Sequence, residues 1–481
     1  MNFLRTALLS SLMLIGVVLS ADAYTINSQY GNLTNCDTMT RGIFIVWWEK
    51  GDKLSADVNA LLDTMLSVRE DCLNEYGMAD PPNPGKGFYY NVYVYHNGGI
   101  FPDTWGNGQG TDANRLPYLT LPNGAHRNWV NVYHETFHIF QYSANSPGFG
   151  YSGDSQWYIE ATANWYAAVR DPSARSIFVE AESLVRLPQV ALWLSYGNFP
   201  SDYPENWQRY VHQYALSLLT YYLTEEAGVS GATIVGGFFS GTSQLPQEYL
   251  YNQIGGDTFT GYFVDWVSRM VNRFDFLDSI HVAVNEKEWN DNADSTDDYQ
   301  FIRTYEDSGS GGWFRPAAEE VTRAWAFNTY RLFNKSDDTY TFQIQGDQKG
   351  SKGIVARFRG KVLVQGGDGV TFHDVPMTDN WSGELSINLT PADTTVYFIV
   401  ASVPEYFRDV NQTFGYQMRV VKGEIVDTSL SVPNSLNLNL LSRTVVARFD
   451  LLGREVTADY AGLQIIRYSD GSVEKMIGPV K

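Results

Sequence analysis

The stretch His134-Glu135-Thr136-Phe137-His138, with Glu160 following 22 residues after the second histidine in Tyr158-Ile159-Glu160-Ala161-Thr162-Ala163-Asn164-Trp165, decides how this sequence is read. Histidines four apart on a helix share one face, with Cβ atoms about 5–6 Å apart. Such a pair can hold one tetrahedral zinc and leaves Glu135 beside the metal's open position. The alternative is two helix histidines with no common ligand. Trp129, Val130, Val132, Tyr133, Phe137, Ile139 and Phe140 surround the pair, so the helix is expected to be largely buried. Two close buried imidazoles without a ligand are hard to satisfy, because each ring nitrogen needs a partner. The expectation is a zinc-dependent hydrolase, with peptidase the leading class.

Catalytic zinc usually takes three protein ligands and keeps a fourth position for water. No third histidine follows His138 within a dozen residues, which disfavours the HExxHxxGxxH arrangement. Glu160 lies instead in a run from Trp157 to Ala167 that has good helix formers and an apolar majority. A carboxylate there is expensive to bury without a cation or strong hydrogen bonds. A solvated helix glutamate is the other possibility. With HExxH on one helix and a glutamate on the next, the sequence resembles the gluzincin metallopeptidases, the thermolysin-like clan. That resemblance implies His134, His138 and Glu160 as zinc ligands and Glu135 as general base. The clan often carries an acid four positions after the ligand glutamate, where it orients a zinc-bound histidine. Asn164 stands at that position; an amide accepts a ring N–H but raises ligand basicity less than a carboxylate does.

The implied chemistry is hydrolysis by zinc-activated water, with zinc polarising the scissile carbonyl and Glu135 carrying the water's proton to the leaving amine. The oxyanion then needs a further donor. Candidates lie in Trp207-Gln208-Arg209-Tyr210-Val211-His212-Gln213-Tyr214. Tyr214 is the first choice, with Tyr210 and His212 behind it, and ordinary aromatic packing is the competing account of each.

Residues 1–23 have the three parts of a secretory leader: Arg5, an apolar run from Ala7 to Leu19, and Ala21-Asp22-Ala23 as an A-x-A cleavage site. That run is too short for a membrane span and no later segment is longer, so no transmembrane segment is expected. With 34 Lys and Arg against 54 Asp and Glu, the formal net charge is −20. No basic patch is present to neutralise phosphates, which argues against nucleic acid and anionic lipid. Cys36 and Cys72 are expected to form one disulfide outside the cytoplasm, with two buried thiols as the alternative.

The rest of the chain reads as α+β. Ile43 to Trp48 and Phe88 to Tyr95 are expected strands around a helix over 54–76, and Tyr118 to Leu121 is a short extended run. In zincins an edge strand at that place pairs with substrate backbone. Gly98 to Asn114 reads as a surface loop, and helices are expected over 176–187, 207–226 and 258–273. A strand-rich half followed by a helical half matches the gluzincin layout. Asp291 to Asp298 reads as a solvated acidic loop and Ser308 to Gly312 as a linker. Thr339 to Ile344, Ile354 to Phe358, Gly383 to Leu389 and Val396 to Ala401 suggest an antiparallel β-sandwich, the last of them buried on both faces. This gives a leader over 1–23, a zincin-like domain over 24–312, a β-sandwich over 313–430 and a small β-rich module over 431–481. A zincin-like domain followed by a sandwich also resembles a family of secreted bacterial gluzincin-like proteins.

In the last module, Phe449-Asp450-Leu451-Leu452-Gly453-Arg454-Glu455-Val456 and the run from Gly462 to Lys475 resemble type IX secretion sorting domains. The resemblance implies export across an outer membrane, through contact with secretion machinery, and release or surface attachment. A final hairpin of the sandwich is the plainer account. The functional expectation is an extracellular zinc peptidase acting on a peptide or protein. A non-catalytic surface or adhesion protein with a peptidase-like fold, and a zinc hydrolase of a non-peptide amide or ester, are the alternatives.

Overall fold

Alternation along two apolar strands builds the first layer. In β2 (Phe44–Glu49), Phe44, Val46 and Trp48 enter the main core, while Ile45 and Trp47 enter a smaller cluster. β3 (Tyr90–Tyr95) divides in the same way, Tyr90, Val92 and Val94 against Tyr93 and Tyr95. The two clusters are therefore the two faces of one sheet. β2 and β3 run parallel and are joined by α1 (Ser55–Glu70), whose Val58, Leu61, Leu62, Met65 and Val68 join the main core. A parallel pair requires a crossover of this kind.

β5 (Pro117–Pro122) adds a third parallel strand. β1 (Cys36–Arg41) and β4 (Gln109–Thr111) pair antiparallel at the two ends, giving the order β1-β2-β3-β5-β4. Two expectations are thereby corrected. The run around Tyr118 is not an edge, because β4 covers it with Gly110 opposite Tyr118, and the supposed loop from 98 to 114 contains that strand. A strand of three residues centred on glycine is too short for any periodicity to show.

The same sheet separates the cysteines. Cys36 lies with Trp47, Tyr95 and Phe101 in the smaller cluster, and Cys72 lies in the main core beyond α1. Both are free and buried, so the expected disulfide is replaced by two thiols on opposite faces. Burial pushes both thiols up, that of Cys72 strongly.

The computed structural model describes residues 24–31, 33–81, 87–101, 109–200, 207–278, 305–308, 311–333, 336–423, 445–449, 454–457, 460, 463–468 and 473–477. The expected leader over 1–23 and the acidic stretch over 291–298 lie outside the described residues.

After β5 the chain is helical. α2 (Trp129–Gln141) packs against α3 (Gln156–Arg170), which is buried from Gln156 to Ala168 and is the central helix. A 3₁₀ stretch over Pro172–Ala181 leads into α4 (Glu182–Arg186), where a single helix over 176–187 is expected. The expected helix over 207–226 breaks at Leu216 into α5 (Trp207–Ala215) and α6 (Ser217–Glu225). Two helices without a clear signal, α7 (Gly231–Val235) and α8 (Pro246–Ile254), precede α9 (Gly256–Val271).

Two antiparallel sheets follow. The first has the order β11-β10-β13-β8, with β8 (Ala326–Phe333), β10 (Phe358–Gly366), β11 (Gly369–Val375) and β13 (Asp393–Ser402). The second has the order β12-β9-β14-β7-β6, with β6 (Tyr305–Asp307), β7 (Phe314–Pro316), β9 (Asp338–Gly346), β12 (Ser382–Leu389) and β14 (Tyr416–Lys422). They face each other through Phe342 and Phe398, whose ring centroids are 5.3 Å apart. A Cβ on Gly360 would stand 2.3 Å from Ile344 Cδ1 and 2.9 Å from Val375 Cγ2, so any larger residue there would displace these side chains. β13 is buried on both sides, as expected, because α9 packs on its other face and that of β10.

Ile354 to Phe358 is not a strand: β10 starts at Phe358, and Val355 makes only an isolated bridge to Lys349. The expected linker from Ser308 to Gly312 sits between two paired strands, since Asp307 is opposite Phe314 and Ser308 donates its N–H to the Trp313 carbonyl. Nearer the end, β15 (Val445–Phe449), β16 (Leu463–Tyr468) and β17 (Val473–Ile477) form a three-stranded antiparallel sheet. Asp450 to Gly453 and Ser469 to Ser472, within the expected sorting motif, lie outside the described residues. The whole is a mixed α+β structure with several antiparallel sheets. Among the described residues no helix is long and apolar enough to cross a membrane.

Candidate metal centre

α2 enters from Asn128 in an extended conformation and presents His134 and His138 one turn apart on the side facing α3. α3 supplies Glu160 from its second turn. All three side chains are buried, at 8%, 1% and 3% exposure respectively. The two Nε2 atoms are 3.0 Å apart, and Glu160 Oε2 stands 3.3 Å from that of His134 and 3.5 Å from that of His138. Ligand atoms bonded at about 2.0–2.1 Å to a tetrahedral ion are separated by about 3.3–3.4 Å. The observed triangle therefore has the size of three ligands on one ion, and these residues could hold a metal. Two imidazoles and a carboxylate suit several divalent first-row ions.

The hydrogen bonds behind the ligands fix which ring nitrogens are free. His138 Nδ1 meets Gln141 Oε1 at 2.5 Å. The Gln141 amide can face only that way, because its Nε2 donates to the Ile159 carbonyl at 3.0 Å and to Thr162 Oγ1 at 2.7 Å. His134 Nδ1 meets Asn164 Oδ1 at 2.7 Å, while Asn164 Nδ2 donates to Glu180 Oε2 at 3.3 Å and to the Tyr214 carbonyl at 3.5 Å. Both rings are thus protonated at Nδ1 and turn bare Nε2 lone pairs toward each other and toward a carboxylate. Without a cation that arrangement is repulsive. Tyr151 donates its hydroxyl to Glu160 Oε1 at 2.7 Å, leaving Oε2 for the shared point. Burial alone would raise the Glu160 carboxyl; without a cation, positive charge on the His138 and His134 rings outweighs this and holds it well below the usual carboxylate range, the place a bound cation would take over.

Rings enclose the triad. Tyr142 stacks on His138 at 5.2 Å between centroids, Tyr214 lies along His134 at 6.2 Å, and Tyr151 meets Tyr142 edge-on. Tyr151 is 46% exposed, so its ring borders solvent while its hydroxyl touches a ligand. Burial, followed by Glu160, Glu180 and Glu135, pushes the Tyr214 phenol far up, which keeps it a neutral O–H.

The structure gathers His134, Glu135, His138, Glu160, Asn164 and Tyr214 from the expected set, with Glu135 buried at 8% exposure on the α2 turn between the histidines. It does not gather the two reserve candidates. Tyr210 packs with Tyr196 and Phe199, at 5.2 and 5.5 Å. His212 is 2% exposed, and burial pushes its imidazole down to about 3. Gln141, Tyr151 and Glu180 went unread. Gln141 had a signal, three residues after His138 on the same helix; Tyr151 comes from the irregular segment between α2 and α3, and Glu180 from the 3₁₀ stretch over Pro172–Ala181, where α-helical spacing does not hold.

The sequence profile of DUF6055, described as a family of unknown function, matches residues 42–419. No curated protein sequence matches the chain. Solved structures with some likeness include CBM35 from Cellvibrio japonicus Abf62, at 12% identity and TM-score 0.15 over 26% of this chain and 87% of that one. The M60 catalytic domain with CBM51-1 and CBM51-2 from Clostridium perfringens ZmpB aligns over 92% of this chain and 67% of that one, at 7% identity and TM-score 0.24. The GH115 4-O-methyl-alpha-glucuronidase BtGH115A aligns over 73% and 54%, at 9% identity and TM-score 0.16. At these scores none carries an argument about this chain.

Proposed function

We propose a function for this chain, which belongs to the DUF6055 family, from its ligand triangle: an exported zinc-dependent hydrolase of zincin type, with peptide bonds as substrate. The observation that supports it is the convergence of His134 Nε2, His138 Nε2 and Glu160 Oε2 with both Nδ1 atoms already engaged and Glu135 on the same helical turn. A mixed sheet before α2 and a helical half after it agree with that layout.

When bound, zinc supplies a Lewis acid to the scissile carbonyl and lowers the pKa of water to about 7. Glu135 takes the water's proton and returns it to the leaving amine. Tyr214, a neutral hydroxyl beside His134, donates to the developing oxyanion. Gln141, Asn164 and Tyr151 hold the three ligands in orientation. Export and an extracellular peptide or protein substrate rest on the leader-like residues 1–23 and on the resemblance of the last residues to a sorting module that would engage secretion machinery.

The test is incubation of zinc-loaded protein with a mixed peptide library and with simple esters. Peptide cleavage that disappears in Glu135→Gln, with zinc content unchanged, is the expected result. Ester turnover alone would move the substrate outside peptides. Zinc binding with no turnover of either class would overturn the enzymatic proposal in favour of a surface-binding role.

A further inference from the structure

The clan that this sequence resembles orients a ligand histidine with a carboxylate, and here an amide does so. A carboxyl group is nevertheless present one hydrogen bond further out. Asn164 Oδ1 receives His134 Nδ1–H at 2.7 Å, and the other end of the same amide points at Glu180 Oε2, 3.3 Å away. We infer that Glu180 is a positioning residue for His134, which sets the tautomer of that ring through the orientation of the Asn164 amide. The inference rests on the proposed metal-site reading and deepens it.

An asparagine amide presents nearly the same shape after a half-turn. The group beyond it therefore decides whether oxygen or nitrogen meets the histidine. With nitrogen toward His134, the ring would have to accept at Nδ1 and carry its proton on Nε2, the atom that faces His138 and Glu160. That tautomer cannot ligate a metal through Nε2. Two acceptors hold the amide the other way, Glu180 Oε2 and the Tyr214 carbonyl, and Glu180 is the nearer. A carboxyl group offers an acceptor oxygen whether or not it is protonated. This matters because burial, followed by Glu160, pushes Glu180 up to about 8 against the opposing effect of Asn164. The Tyr214 carbonyl alone, at 3.5 Å, is a weak restraint.

The test uses the full chain, first stripped of metal, and reads the ring nitrogens of His134 by nitrogen-15 NMR. Wild type is expected to show His134 protonated at Nδ1. Glu180→Ala is expected to show a mixture of tautomers and, on adding zinc, affinity lower by roughly 10-fold or more. Glu180→Gln, which can still turn an amide oxygen toward Asn164, is expected to keep most of both. Asn164→Asp puts two carboxyls face to face and is expected to lose affinity, and adding Glu180→Gln to it should restore the affinity, because acid and amide have exchanged places. An unchanged tautomer and affinity in Glu180→Ala would overturn the inference, as would failure of Glu180→Gln to rescue Asn164→Asp when both variants melt cooperatively. Wild-type protein that binds no zinc would refute the metal-site reading instead, and the metal-free tautomer would still judge Glu180.

Discussion

Replacing Gln141 by leucine removes one acceptor and two donors from a sealed part of the site. The residue is 1% exposed, takes the His138 ring proton at 2.5 Å, and donates at 3.0 and 2.7 Å to the Ile159 carbonyl and Thr162 Oγ1. Leucine fills a similar volume, so packing changes little. The main penalty is a His138 N–H buried with no acceptor, about 1–3 kcal/mol. Thr162 keeps its own bond to the Tyr158 carbonyl, so the lost amide donors add about 1 kcal/mol. The expected destabilisation is therefore about 2–4 kcal/mol, with zinc affinity lower by about 10–100-fold because His138 loses the partner that fixes its ring. Gln141→Glu separates the two effects. It retains an acceptor for His138 but turns an oxygen toward two other acceptors, so it should lose stability while holding more of its affinity. Urea unfolding of metal-free protein gives the first quantity and competition with a chromophoric chelator the second. Normal zinc affinity in a destabilised Gln141→Leu would show that His138 needs no fixed Nδ1 partner, and the argument from bare Nε2 lone pairs would fail.

Zinc added to stripped protein should stabilise it by about 4 kcal/mol at a thousand times the dissociation constant, and much less in Glu160→Gln; equal melting with zinc and with chelator would exclude a metal at the triangle. His212 makes stability depend on pH: its folded-state value of about 3 lies below the ordinary 6.5, so the unfolded chain takes up the proton first. Its contribution is complete above 6.5 and is lost as pH falls toward 3, at up to about 1.4 kcal/mol per pH unit. The difference in unfolding free energy between wild type and His212→Leu should therefore change with that slope across the window, and a flat difference would contradict the burial of a neutral ring. Without any reductant, both cysteines should react with a thiol reagent in denaturant and neither should in the native protein; a missing thiol in denaturant would restore the disulfide.

What the sequence disclosed follows from where periodicity and chemistry coincide. The i, i+4 histidines were legible because helix geometry puts them on one face, and β13 because six apolar residues in succession, rich in β-branched and aromatic side chains, suit a strand covered on both sides. Long-range placement was not legible. Nothing local in Gln109–Thr111 says that it closes a sheet against β5, and nothing near Cys36 says that a sheet stands between it and Cys72. Leu216 interrupts the expected helix with one residue of near-helical backbone, and the Leu219 N–H bonds back to its carbonyl in a 3₁₀-like turn, a local change that the residue pattern does not signal. Tyr151 reaches Glu160 from an irregular segment, and Glu180 reaches Asn164 from the 3₁₀ stretch after α3, where the spacing of an α-helix does not apply.

The β-sandwich also bears on the site, although no residue of the triad lies in it. The turn that starts α3 is held by Asp154, which accepts from Asn198 Nδ2 at 2.9 Å and from the Asp409 N–H at 3.0 Å. One turn on, Trp157 donates to Gln247 at 3.0 Å, and Gln247 donates to the Phe407 carbonyl at 2.8 Å. Asp409 and Phe407 belong to the segment between β13 and β14, and Phe407 stacks on Trp325 in a core continuous with the helices. Lys361 of β10 pairs with Asp265 of α9 on the same junction. Ligand geometry must hold to about half an ångström for a metal site to work, and Glu160 follows Trp157 by three residues on one rigid helix. The two antiparallel sheets thus act as the far abutment of α3. A carboxylate placed by α3 and two imidazoles placed by α2 stay in register because that helix is pinned from outside the half that carries them.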